Sequence, residues 1–148
     1  RLYFEFNYAS GDDDPTDGKN KQLQTLFPTA HKWYGYADQV GWNNIMDFRV
    51  GVFLTPSGKW RIRLDYHHLR RPEEQGAWQG AGGGVIRAGA AGADSHLADE
   101  FDVVLIWLPA KPVNVQLGWT TFFPGGFIED TGSSPTATFA WLQCRIVF

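Results

Sequence analysis

The chain has one cysteine, no apolar run long enough for a membrane helix and no block of like charge, and each lack removes a class of protein. Cys144 has no internal partner, so no disulfide framework holds the fold together. Without eighteen consecutive apolar residues, a helical membrane span is excluded. Thirteen Lys and Arg against sixteen Asp and Glu give a net charge of −3, with no basic patch of the kind that grips nucleic acid. Nucleic acid is therefore not an expected partner. No Ser, His and Asp arrangement or carboxylate pair has the context of a catalytic site, so no enzyme and no cofactor is expected.

What is present is aromatic and glycine-rich: 16% Phe, Trp and Tyr, and 17 glycines among 148 residues. That composition suits short strands separated by long turns. The mean hydropathy of −0.30 is that of a soluble protein. It is equally that of a membrane barrel, in which only alternate residues meet lipid.

Period-two alternation marks six strands. In residues 1–10, Leu2, Phe4, Phe6 and Tyr8 oppose Tyr3, Glu5 and Asn7; in 44–55, Met46, Phe48, Val50, Val52 and Leu54 oppose Asp47, Arg49, Gly51 and Phe53. The segment 59–69 alternates most cleanly, with Trp60, Ile62, Leu64, Tyr66 and His68 against Arg61, Arg63, Asp65 and His67. Two more strands are expected at about 98–108 and 113–123. The last, TATFAWLQCRIVF at 136–148, carries Leu142, Cys144, Ile146 and Phe148 on one face and Gln143 and Arg145 on the other.

The connections alternate long, short, long, short, long. Short turns at PSG (56–58) and PAKP (109–112) share one end of the strands, and three polar or glycine-rich loops share the other. Outer-membrane barrels have short periplasmic turns and long extracellular loops. The terminal strand resembles the closing strand of such barrels, in which a C-terminal aromatic is read by the assembly machinery. Six antiparallel strands do not close a lipid-spanning barrel, since eight is the smallest bacterial number. An open edge would leave unpaired backbone groups in lipid at several kcal/mol each. The chain also opens at Arg1 inside a strand pattern. The expectation is a C-terminal portion of a larger barrel, or closure with other chains.

YASGDDDPTDGKNK (8–21), LFPTAHKWYGYAD (26–38), GW (41–42), LDYHHL (64–69), AGGGVIRAGAAGA (81–93) and FFPGGFIEDTG (122–132) together resemble the alginate export family of outer-membrane porins. The resemblance implies an all-β antiparallel transmembrane β-barrel of roughly 18 strands, monomeric when full length. Residues 1–148 would be the C-terminal part of its single domain, in the bacterial outer membrane. Its implied partners are outer-membrane lipid, the barrel assembly machinery and an anionic polysaccharide or small anionic solute. An alternative within the class is a nutrient-uptake porin for small organic anions.

On the face turned from lipid stand Glu5, Asn7, Asp47, Arg49, Arg61, Arg63, Asp65, His67, Glu100, Asp102, Asn114, Gln116, Gln143 and Arg145. A guanidinium stays charged and pairs bidentately with carboxylate, so Arg49, Arg61, Arg63 and Arg145 are candidate lumenal sites for an anionic cargo, beside Asp65, His67 and Asp102. The competing reading is that these arginines only neutralise acidic neighbours in the wall. Arg87, in the glycine-rich loop, is a candidate cargo contact if that loop turns inward and narrows the pore. Trp33, Tyr34 and Tyr36 either stack on sugar rings or anchor their loop by packing.

Metal readings are weak. Asp12, Asp13, Asp14 and Asp17 lack the EF-hand spacing, because Pro15 and Gln24 stand where ligands belong. His31, His67 and His68 could suggest zinc or acid-base chemistry, but His67 and His68 are adjacent on a strand and face opposite ways, so those two cannot share an ion in regular geometry. His68 is expected with Trp60 and Tyr66 in an aromatic girdle at the extracellular interface. The rival class is a soluble ligand-binding β-barrel. The two are separated by whether Phe48, Val50, Ile62, Leu64, Leu142 and Ile146 form an outward belt or a buried core.

Overall fold

A computed structural model describes residues 1–27 and 33–148. Its main feature is an antiparallel sheet of six strands, β1 (Leu2–Ala9), β2 (Ile45–Ser57), β3 (Trp60–Arg70), β6 (His96–Trp107), β7 (Val113–Pro124) and β8 (Ala137–Ile146), side by side in that order. The sheet is not closed; β1 and β8 are its edges. The second long loop holds a small hairpin, β4 (Trp78–Gln79) and β5 (Val85–Arg87), and the third holds a short helix, α1 (Gly126–Thr131). Periodicity gave no sign of these three, which are too short for a period to register. The membrane-length strands run from 10 to 13 residues in β2, β3, β6, β7 and β8, enough to cross a bilayer when tilted.

Opposed residues in an antiparallel ladder share a face. The register therefore carries Leu2, Phe4 and Phe6 into line with Val52, Val50 and Phe48, then Leu64, Tyr66 and His68. Across the sheet, Leu105 meets Leu117 and Leu117 meets Leu142. This outer face is apolar and open: Phe4 is 76% exposed and Leu142 73%. Phe48 and Ile146 are also exposed, and Val50, Ile62 and Leu64 lie partly open on the same face. The six marker residues thus form an outward belt, the reverse of a soluble barrel.

The inner face is polar and covered. Asp47, Asp65, His67, Glu100, Asp102 and Thr120 are all buried on it. The apolar core is displaced to the long-loop end, where Ala9, Ile45, Leu69, Leu97, Ala98 and Phe122 from the strand ends pack with Tyr34, Val40, Trp78, Phe127 and Ile128 from the loops. Three connections are bound into one cap. Arg71, fully buried, donates to the carbonyls of Glu74, Gly76 and Asp94 and lies 3.4 Å over the Phe127 ring. Burial lowers its guanidinium pKa. Asn44, held at a positive φ of 47°, pairs both ends of its amide with the backbone of Glu73 at 3.0 Å.

The girdle differs from expectation in one residue. Tyr66 and His68 stand toward the long-loop end, but Trp60 begins β3 at the short-turn end, stacked on Trp107 at 5.9 Å. Ten residues of rise separate Trp60 from Arg70, so one strand supplies aromatics to both interfaces.

Candidate functional site

The wall facing the covered side is built by register. Gly51 stands opposite both Tyr3 and Asp65, and a β-carbon there would collide with the Tyr3 ring and the Asp65 carboxylate. The gap lets the Tyr3 hydroxyl donate to Asp65 Oδ1, which also accepts from Arg49 Nε at 3.0 Å. Arg49 Nη1 lies 3.5 Å from Glu5 Oε2, and Arg63 Nε lies 2.9 Å from Asp65 Oδ2. Asp65 thus carries two guanidiniums and a phenol.

Two residues further along β3, His67 is fully buried between carboxylates. Its Nδ1 is 3.0 Å from Asp47 Oδ1, and its Nε2 is 3.7 Å from Asp102 Oδ2. Glu100 Oε1 accepts from Thr120 Oγ1 at 3.0 Å and from the Ala37 backbone at 2.8 Å. Four buried carboxylates, two arginines and a histidine therefore form one connected patch across β2, β3 and β6. Charges left unpaired at such depth would be costly: Asp65 is paired with arginine and Asp47 with His67, whereas both Asp102 oxygens and Glu100 Oε2 have no aligned hydrogen-bond partner among the described residues.

The candidate residues separate by surroundings. Arg49 is buried in the Asp65 pair. Arg63, only partly covered, also donates to the Tyr36 hydroxyl and lies 5.0 Å from that ring. Arg61 Nη1 donates to the carbonyls of Ser57 and Trp60, closing the β2–β3 turn. Arg145, opposite Asn114 on the inner face of β8, is exposed. Arg87 is apart from all of these: it donates to Ile128 O at 2.6 Å, Thr131 Oγ1 at 3.1 Å and Ser133 O at 2.9 Å. It holds the end of α1, tying the second loop to the third.

Beside the β1 edge, Arg1, Tyr3, Glu5, Arg49, Phe53 and Arg63 line an open cleft of about 300 Å³. Three guanidiniums and Glu5 line it, and two of the three, Arg49 and Arg63, are also paired with Asp65.

The first long loop lies against this inner wall. Tyr36 reaches Arg63 on β3 and also packs at 5.7 Å on Trp141 of β8. Since β3 and β8 are separated by β6 and β7, the segment 33–44 runs as a strap across the sheet. Tyr34 is buried beneath it, and burial, with the Asp47 and Glu5 carboxylates, raises its phenol pKa. So Tyr34 and Tyr36 anchor the loop. The sequence carried one sign of this strap that period-two reading passes over: Trp141 lies opposite Gly118, where a β-carbon would strike the indole. A glycine facing an aromatic on the polar side marks a ring laid flat on the wall.

The acidic loop is occupied by its own turn. Asp14 accepts from Thr16 N and Oγ1 at 2.9 and 2.6 Å, and Asp13 pairs with Lys21 at 2.5 Å. These bonds hold the Asp13 and Asp14 carboxyls below their usual range. His67 and His68 do face opposite ways; His31 lies outside the described residues.

A membrane-length antiparallel wall with an apolar outer face, a charged inner face and an inward strap defines a porin-like β-barrel protein. Residues 1–142 match the family described as alginate export, and the chain belongs to that family. The family is one of outer-membrane β-barrel transport proteins. No curated protein matches the chain.

Proposed function

We propose that residues 1–148 are the C-terminal part of a single β-barrel domain of roughly 18 strands in the bacterial outer membrane. The full barrel passes an anionic, alginate-like polysaccharide or a related anionic solute by diffusion through a polar lumen, without chemistry of its own. The observation that carries this reading is the inner-face cleft of Arg1, Arg49 and Arg63 beside Glu5. A uronate polymer bears one carboxylate per sugar, and guanidinium binds carboxylate through two parallel hydrogen bonds. Arg63 and the exposed Arg145 then offer successive sites along the wall, each weak enough for the polymer to leave.

The open edges support the larger barrel. Lipid has no hydrogen bonds to give β1 or β8, which favours pairing of both edges with further strands.

The test is planar-bilayer conductance of the detergent-purified full-length protein with and without an oligouronate. Stable channels partly blocked by the oligouronate support the polysaccharide reading. Channels indifferent to it, yet anion-selective, leave only a general anion porin. A detergent-free soluble monomer without channels overturns the membrane reading.

A further inference from the structure

On the outer face near the long-loop end, His68, His96 and Asp99 bring their side chains together, with donor atoms all within 4.8 Å of one another. His68 and Asp99 are direct partners in the β3–β6 ladder. His96 joins them because of an irregularity. Leu69 pairs with Ala98, but Arg70 pairs with His96, so Leu97 is an extra residue in β6. Strict alternation would put His96 and Asp99, three apart, on opposite faces; the bulge restores them to one face. A bulge of this kind re-aims a side chain.

We propose that His68, His96 and Asp99 form a binding site for a zinc-class divalent transition-metal ion on the rim of the barrel. His68 Nδ1 is 2.8 Å from Asp99 Oδ1, and His96 Nε2 is 3.3 Å from Asp99 Oδ2. Ligands about 2.0–2.1 Å from a tetrahedral zinc ion stand about 3.3 Å from one another, so these spacings require only small rotations around an ion. Imidazole and carboxylate together favour zinc, copper or nickel over calcium or magnesium.

The surroundings hold the ligands and leave a way in. The two imidazoles stack at 4.7 Å, and the Phe48 ring lies 6.4 Å from that of His68. The backbone of Gly125 presses on His96 so closely that a β-carbon would meet its Nδ1 at 2.8 Å. The Tyr66 hydroxyl donates to Asp99 Oδ1 at 2.7 Å, a supporting bond that orients the carboxylate. His96 Nε2 is buried and has no aligned hydrogen-bond partner among the described residues, although it faces the Asp99 carboxylate. A cation between them satisfies both. The three side chains remain 26–33% exposed, which leaves an entry path and a fourth position for water.

The site is independent of the cargo and of the lumen. The full-length protein in detergent, stripped with a chelator, is titrated with Zn²⁺ alone and then with Cu²⁺ for electron paramagnetic resonance. Wild type is expected to bind one Zn²⁺ equivalent that His68→Gln and His96→Gln each lose, and to give a Cu²⁺ signal split by two imidazole nitrogens that falls to one in each variant. Glutamine keeps hydrogen-bonding capacity, and unchanged channel conductance shows that each variant is folded. Equal Zn²⁺ stoichiometry and an unchanged Cu²⁺ spectrum in the variants would overturn the site. So would a wild-type equivalent displaced by Ca²⁺ or Mg²⁺ at comparable concentration.

Discussion

The backbone N–H of Ala37 donates to Glu100 Oε1 at 2.8 Å, joining the first long loop to a wall strand 63 positions further along the chain. Glu100 is fully buried and makes its second bond to Thr120, so the strap is fastened to a rigid part of the sheet. Removing the acceptor should release it. Glu100→Ala is expected to raise single-channel conductance and to speed proteolysis within residues 33–44, whereas Glu100→Gln, which keeps a carbonyl acceptor, should stay near wild type. Identical conductance in the alanine variant would show that the strap is held without this bond.

The other anchor is Tyr36 on Trp141, and it depends on the space above Gly118. Gly118→Leu should lift the indole from the wall and disturb the strap from the β8 side. The expected readout is a conductance change in the same direction as Glu100→Ala, with indole fluorescence shifted toward a wetter environment. A spectrum unchanged from wild type would contradict the collision.

Arg49 and Arg145 should behave differently although both sit on the inner face. Arg49→Met leaves the buried Asp65 carboxylate with Arg63 and the Tyr3 hydroxyl but one guanidinium fewer, so it should cost about 3 kcal/mol of stability in denaturant unfolding. Arg145→Glu touches no buried partner and should leave stability within about 0.5 kcal/mol, while lowering anion selectivity measured by reversal potential. Selectivity unmoved by Arg145→Glu would favour a purely structural role for the wall arginines.

The outer belt makes its own prediction. Val50 lies near the middle of β2 on the outer face, and Val50→Arg should destabilise the protein in lipid by about 2–4 kcal/mol, the depth-dependent cost at a bilayer midplane. Gln116→Arg, on the inner face, should escape that penalty. Equal effects would mean that the two faces do not meet different solvents.

Arg87 is bonded to the α1 end and to Ser133, so Arg87→Ala should loosen the second and third loops. Limited proteolysis of those loops is expected to accelerate. If Arg87 also meets cargo, oligouronate block weakens in the same variant without any change in unblocked conductance.

The alternation of side chains fixed the six main strands and both of their faces, because a ladder of period two allows only one assignment once one face is apolar. Loop lengths fixed which strand ends lie together. Even the pairing of Arg49 and Arg63 with acidic neighbours follows from hairpin register. What sequence could not provide was anything dependent on contacts between distant segments. The strap across the inner wall rests on Ala37 to Glu100 and Tyr36 to Trp141, bonds that no local pattern encodes. Arg87 reads from sequence as a candidate cargo contact in a glycine-rich loop, and its bonds to carbonyls more than forty residues away come only from the tertiary structure. His96 fell before the strand expected at 98–108, and the extra residue Leu97 sets it on the outer face beside His68 and Asp99. Local periodicity determines the strands because each residue's face follows from its neighbours. Tertiary structure alone decides the strap, the loop clamp and the histidine cluster, because bulges and long-range hydrogen bonds are settled only when whole segments meet.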